Sequence, residues 1–452
     1  MQKTNNTTKT SGVSPTVNFH YIGNLDTSGI KLEFNYDFAF FRFFTNSSLM
    51  TDDYDKQENY ISNLYNFTQN NPFIVHLHTS NLNYYKPLKK GHNIETGFKF
   101  TWTKTGNDVQ FKNWDGTQYI LDAGKSNKFE YIENINALFG IWSKEWKKNW
   151  STNLGLRIEQ TNTNQYSETV NSRTKKHYVD FFPSLFIQKT IKEKHSLNIN
   201  FSRKIQRPNF EDLNPFEYYL SPYSIWTGNA NLKPQLVNLT EITYTFKNTY
   251  SFFINHENLN NNSTHLVFQD DSTKISTYRA SNFRVRNNLN IGLSINKDLF
   301  KWWSISANAT YTFFRYNSIV NDEEFKVSSH KGNFSVDNTF RLPKDFQINV
   351  FAFYTTPHLD ATDIMKSDGM VNISISKSFL KKALKIKLSG NDIFRTKNFS
   401  YTTDFFNVHS VSINKFSSAF VGLTVSYNFN KGKQFKNTVI SKSNEDEKSR
   451  IH

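Results

Sequence analysis

The chain has 452 residues, with 54 basic and 39 acidic side chains and no cysteine, for a formal charge of +15. Hydrophobic residues make up only 37%, yet 43 Phe, 22 Tyr and 8 Trp raise the aromatic share to 16%, so rings are in greater demand than aliphatic bulk. The missing cysteine excludes a disulfide framework, a thiolate metal site and a Cys nucleophile, and no apolar run approaches the roughly 18 residues of a helical membrane span.

Taken in chain order, Met1 to Thr10 is polar and lacks the apolar stretch of a signal peptide. Residues 1–15 are expected to be a disordered N-terminus. The first strand is predicted near 16–22, and the strongest apolar run, 37–44, is short and interrupted by Arg42. His76 and His78 stand at i and i+2 and so share one face of a predicted strand, where two imidazoles can hold a metal. No third ligand lies near them, and the plainer reading is a pair of lumen-facing histidines. Trp142, Trp146 and Trp150 gather with Lys144, Lys147 and Lys148 around one short turn, and Trp302 and Trp303 flank Lys301 at another. Rings and long basic side chains at strand ends suit a membrane interface, with local packing as the alternative.

Further along, the hydrophobic period is two. Leu197, Ile199 and Phe201 alternate with polar residues, as do Leu289 to Ile295, Trp303 to Phe313, Val371 to Ile375 and Leu384 to Leu388. These predicted strands run to roughly 10–15 residues, against five or six in soluble domains. A tilted strand needs about 9–11 to cross a bilayer. Short basic connections at 143–149, 190–195, 247–250, 296–301, 341–345 and 378–383 alternate with long polar ones at 161–173, 206–234, 257–273, 317–325, 356–368 and 394–415. Short turns on one rim and long loops on the other are the layout of an outer-membrane barrel. Counting back from a last strand at 417–430 gives roughly 17 strands, an odd number, whereas bacterial single-chain barrels close with an even one. The expected fold is therefore an all-β, transmembrane antiparallel β-barrel, partial, over residues 16–430. Residues 431–452, polar and mixed in charge, are expected to form a disordered periplasmic tail.

One block is more specific. Arg203, Arg207 and Pro208 end a strand, Asn214, Pro215 and Phe216 follow in a loop, and Gly228, Leu232, Lys233 and Pro234 return from it. With Gly155-Leu156-Arg157-Ile158-Glu159, Phe182-Pro183-Ser184-Leu185, Ser389 to Phe394 and the closing Val421 to Phe429, this block resembles the C-terminal barrel of TonB-dependent outer-membrane receptors. More narrowly, it is similar to the outer membrane protein beta-barrel family. The resemblance implies a barrel of about 22 strands around an N-terminal plug, with a coupling box on the plug that docks the inner-membrane TonB protein. The sequence holds no residues for the plug, the coupling box or about the first five strands of such a barrel. It thus implies import of a large, scarce solute such as a siderophore, oligosaccharide or peptide, possessed by the complete form.

Within the block, four prolines and Gly228 pin turns, and its rings can simply bury one another. The functional alternative is that Tyr218, Tyr219, Tyr223 and Trp226, with Asn229 and Asn231, contact the solute by stacking and amide hydrogen bonds. Arg157 and Glu159 share the face opposite Leu154, Leu156 and Ile158, which reads as an ion pair on a polar lumen wall rather than an acid–base dyad. No nucleotide-binding, Ser–His hydrolase or zinc-peptidase motif occurs, so an enzyme, a cofactor and a metal are not expected. The basic charge is spread over turns and lumen faces without a nucleic-acid module. The expected partners are outer-membrane lipid and lipopolysaccharide, the TonB complex where an upstream plug carries the coupling box, and a surface lipoprotein, in the outer membrane of a Gram-negative cell. Two rivals stand beside this reading: a non-transporting barrel, and a soluble β-rich binding module.

Overall fold

The structure, a computed structural model, describes residues 1–169, 171–320, 322–414, 417–429 and 443–451. One antiparallel wall dominates it. Gln2–Val13 and Thr16–Asn24 lie end to end along Lys31–Tyr54 and together make the first wall strand. The wall then runs through Tyr60–Pro87, His92–Trp114, Asn127–Trp146, Trp150–Ser167, Ser172–Ile191 and His195–Gln206. After a long loop it continues with Gln235–Phe246, Tyr250–Asp270, Ile275–Phe300, Trp303–Val320 and Glu323–Leu342. Phe346–Thr355, Asp368–Phe379, Leu384–Asn391 and Phe420–Tyr427 complete a wall of 17 strands among the described residues.

The period of two sets the two faces. Leu82, Phe98, Leu138, Ile158 and Phe181 are direct cross-strand partners on five successive strands. Ile187, Ile199, Ile242, Ile254, Ile291 and Tyr311 form a second such row. Most of these side chains are exposed, as a lipid-facing belt requires. Their sequence neighbours point inward, where Thr101, Thr103 and Thr161 are fully buried. The two outer wall strands expose Val17, Phe19, Val421 and Leu423, and among the described residues each pairs with one neighbour.

On the short-turn rim, consecutive residues with positive φ, Lys192 with Glu193 and Lys247 with Asn248, make turns of the I′ type, whose twist matches that of the strands. Rings gather there too. Lys144 stands 3.7 Å over the Trp146 ring and Lys189 4.9 Å over Trp150, while Phe300, Trp302, Trp303 and Phe340 stack at 5.6–6.2 Å.

Four expectations are corrected. Residues 2–13, expected disordered, are a strand with a full ladder to Lys31–Tyr54, because polar Thr and Asn side chains pair as readily as apolar ones once the backbone has a partner. The connections expected as long loops at 161–173, 257–273 and 317–325 are largely strand: Trp150–Ser167, Tyr250–Asp270 and Trp303–Val320 extend into them from one side, and Ser172–Ile191 and Glu323–Leu342 begin inside two of them. Above the bilayer a strand has no lipid face, so its apolar alternation ends while its ladder continues. His76 and His78 point outward, not into the lumen: Val75 and Leu77 are the buried inner pair, and His78 lies 5.0 Å from Phe38 and 5.5 Å from Trp102. The tail expected to be disordered over 431–452 is folded at residues 443–451; residues 431–442 and 452 lie outside the described residues.

Ile242 sits on the outer row and Thr243 beside it faces inward near Glu241. Ile242→Arg is expected to weaken membrane assembly by about 2–4 kcal/mol near the bilayer midplane and Thr243→Arg by far less. The fraction of protein shifting mobility on heating before a denaturing gel checks this, and equal yields would reverse the assignment of faces.

Candidate functional site in the lumen

The loop at 207–234 does not stand out into solvent. It folds into the barrel, because its apolar residues find their partners on the inner wall. Phe210, Leu213 and Leu232 are buried in one cluster with Phe73, Val75, Phe129 and Tyr131. Burying side chains of this size contributes roughly 1.5–3 kcal/mol each. His358–Asp360, Asp363–Met365, Phe399–Phe405 and Val408–Asn414, from two further connections, pair as a four-stranded sheet on the inner side of the wall. Phe405 of that sheet packs among Leu266, Phe283, Phe314 and Tyr316.

Charge fixes where the first loop enters. Arg207 places one guanidinium nitrogen 2.8 Å from Glu159 and 2.9 Å from the Thr161 hydroxyl. Arg157 donates to the other Glu159 oxygen at 2.5 Å. Glu159 thus holds two arginines on the lumen face, and Arg203 lies 3.9 Å from Asp180 nearby. Pro208 offers its carbonyl to Arg450, and Gly155 faces Ser184 across the ladder.

The remaining motif residues close the loop on itself. The Asn214 carbonyl accepts the Gly228 N–H at 3.0 Å and the Asp212 carbonyl accepts that of Asn229 at 2.6 Å. A Cβ on Gly228 would sit 2.3 Å from the first carbonyl and 2.6 Å from the second, so only glycine fits. The Asn214 side chain accepts from the Phe216 N–H and donates to Asn107, and the Pro215 carbonyl accepts from Thr227. Lys233 donates its N–H to Asn282, and Asn261 reaches the Pro234 carbonyl. The sequence block is therefore largely a clamp.

Between loop and wall lies a cavity of about 210 Å³. Gln69, Asn71 and Asn107 line it from the wall, and Phe216, Tyr218 and Trp226 from the loop. Among the described residues, buried Gln69 Oε1 has no hydrogen-bond partner. Of the six residues expected to meet a solute, Tyr218 and Trp226 reach this cavity. Tyr218 bonds Ser47 at 2.5 Å, and Trp226 lies edge-on to His265 at 5.3 Å. Tyr219 instead packs with Phe67 and Phe111. Burial, with the Glu217 carboxylate 3.0 Å away, pushes its phenol well above the ordinary range. Tyr223 meets Tyr65, Asn229 donates to the Ala280 carbonyl, and the Asn229 side chain accepts from the Asn231 N–H. Sequence reasoning missed Gln69, Asn71 and Asn107, whose only signal is amides at alternate, inward positions. Among the described residues no cluster of three or more His, Asp or Glu side chains could hold a metal.

The profile of the outer membrane protein beta-barrel family matches residues 23–427. The chain belongs to that family. Its place is the outer membrane of a Gram-negative cell, among lipid and lipopolysaccharide. No curated protein matches the sequence. Solved structures share the fold, three of them at 9–12% identity. The copper transporter OprC superposes with a TM-score of 0.57 at 10% identity, over 89% of this chain and 67% of its own. The ferric-catecholate import receptor Fiu of E. coli K12 gives 0.56 at 12%, over 89% and 65%. The ferric yersiniabactin uptake receptor FyuA of Yersinia pestis gives 0.57 at 9%, over 89% and 61%. This barrel thus spans about two thirds or less of those receptors' length. Those three proteins are a transporter, an import receptor and an uptake receptor.

Two substitutions test the clamp in this family member. Gly228→Val is expected to expel the loop and make residues 207–234 cleavable by protease on intact cells while the wall still assembles. Arg207→Ala leaves Glu159 with one arginine in a site almost closed to water, and is expected to lower stability by about 3–5 kcal/mol, read from the temperature of the gel-mobility transition.

Proposed function

We propose that this chain is the barrel portion of an outer-membrane receptor that takes up a large, scarce solute, with a siderophore, an oligosaccharide or a peptide as the candidate classes. The observation that carries this reading is the inward-folded loop 207–234, which leaves a cavity lined by amides and rings inside a receptor-type barrel. Amides supply paired donors and acceptors, rings supply flat apolar area, and an unpartnered Gln69 Oε1 is an acceptor open to a solute N–H or O–H. The TonB complex is a partner only if a plug with a coupling box is present upstream, and a surface lipoprotein is a further candidate partner.

The second reading, a barrel that binds at the surface and does not transport, is favoured by the side chains that fill the lumen at Phe210 and Leu232. Radiolabelled siderophore, oligosaccharide and peptide panels applied to cells separate the two. An uptake receptor accumulates one class, and a protonophore abolishes accumulation while leaving binding. Binding with no accumulation supports the second reading. Tyr218→Ala and Trp226→Ala are each expected to weaken binding by roughly 10- to 100-fold, about 1–3 kcal/mol, with Asn231→Ala close to neutral. Equal losses at all three positions would sink the cavity as the site.

A further inference from the structure

The inner wall carries charges that the loop clamp does not use. Glu133 and Lys99 project inward from the adjacent strands Asn127–Trp146 and His92–Trp114, and Asp37 from Lys31–Tyr54 beyond one intervening strand; each is almost fully buried. All three are met by residues 443–451 of the same chain. Arg450 reaches Glu133 at 2.5 Å through one guanidinium nitrogen and 3.5 Å through another. Its third nitrogen donates to the Pro208 carbonyl at 2.9 Å, and its plane lies 4.1 Å from the Phe210 ring centre. Tyr131 completes the cradle with a 2.7 Å bond to Glu133. Glu447 stands 3.1 Å from Lys99 and 3.3 Å from the Thr101 hydroxyl. The Ser443 N–H meets Asp37 at 2.8 Å, and Ile451 packs on the Phe210 cluster.

The wall therefore reads this segment in register: acid opposite arginine, lysine opposite glutamate, acid opposite a backbone N–H, and an apolar surface opposite isoleucine. Each wall charge would otherwise be held in a nearly dry place with its main partner gone, an expensive arrangement for a structure to keep. Arg450 also bridges Glu133 on the wall to Pro208 and Phe210 in the folded loop, so the segment fastens the loop as well as filling space.

We propose that Asp37, Lys99, Glu133 and Phe210 form a peptide-binding site on the lumen wall whose occupant is residues 443–451 of this chain, an internal stopper that locks the 207–234 loop inward. The site depends on the barrel lumen and not on the uptake reading.

The test uses the full chain and a variant lacking everything from Ser443 onward, both in detergent, with a fluorescent synthetic peptide of residues 443–451 as the probe. The shortened barrel is expected to bind the peptide saturably, and the full chain at least tenfold more weakly, because its own segment competes at high effective concentration. Glu133→Gln in the shortened barrel is expected to weaken binding at least tenfold. A shortened barrel that binds no peptide, or a full chain that binds it equally well, would overturn the proposal. Should the shortened barrel fail to assemble, the full chain decides: Glu133→Arg is expected to expose the 207–234 loop to protease, and adding Arg450→Glu to restore protection. Restoration supports the site, and no difference between the single and double variants refutes it.

Discussion

A backbone in hydrocarbon has no water to bond, and that constraint shapes everything else in this chain. Each N–H and C=O in the membrane layer must meet a neighbouring strand, so the wall is a continuous antiparallel ladder in which register is inherited from strand to strand. Once Ile199 faces lipid, Ile242, Ile254 and Ile291 must do so as well, and the residues immediately before and after each of them face the lumen. The lumen's chemistry is thus a by-product of the same ladder that satisfies the membrane.

Inside, the balance of forces reverses. Nothing obliges the lumen to be apolar, yet large apolar clusters form there, because three loops turn inward and bring Phe210, Leu232 and Phe405 against the wall. Burial drives the loops in, and charge decides where they stop. Glu159 holds Arg157 and Arg207 at the loop's entry, and Glu133 holds Arg450 deeper in. A carboxylate shared with guanidinium groups in a site of low water content is specific in position, since leaving it unpaired there is costly.

The same physics explains why some features are visible in a sequence and others are not. Alternation is written residue by residue, so the wall and its face assignment are legible from runs such as Leu197-Ile199-Phe201. The aromatic share with few aliphatics is legible too: rings are needed at the turns around Trp146 and Trp302 and in the lumen clusters, while half of each strand stays polar. The strand extensions above the bilayer were hidden, since Asn- and Thr-rich segments such as 257–270 carry no alternation even though their backbones pair at every position but Asn261. His76 and His78 were misplaced for the opposite reason: a shared face is legible, but which face it is depends on whether Val75 or its neighbours find lumen partners.

By itself the sequence determined the all-β wall, its period, its rims and the family block around Arg207 and Gly228, because each of these is local in the chain. Only the tertiary structure decided that the block lies in the lumen as a clamp, that Tyr218 and Trp226 rather than Asn229 and Asn231 border the cavity, and that residues 443–451 meet Glu133, Lys99 and Asp37. Those outcomes join positions up to 406 residues apart. No local pattern encodes such a meeting, since it exists only once the ladder has fixed which side chains point inward and at what height.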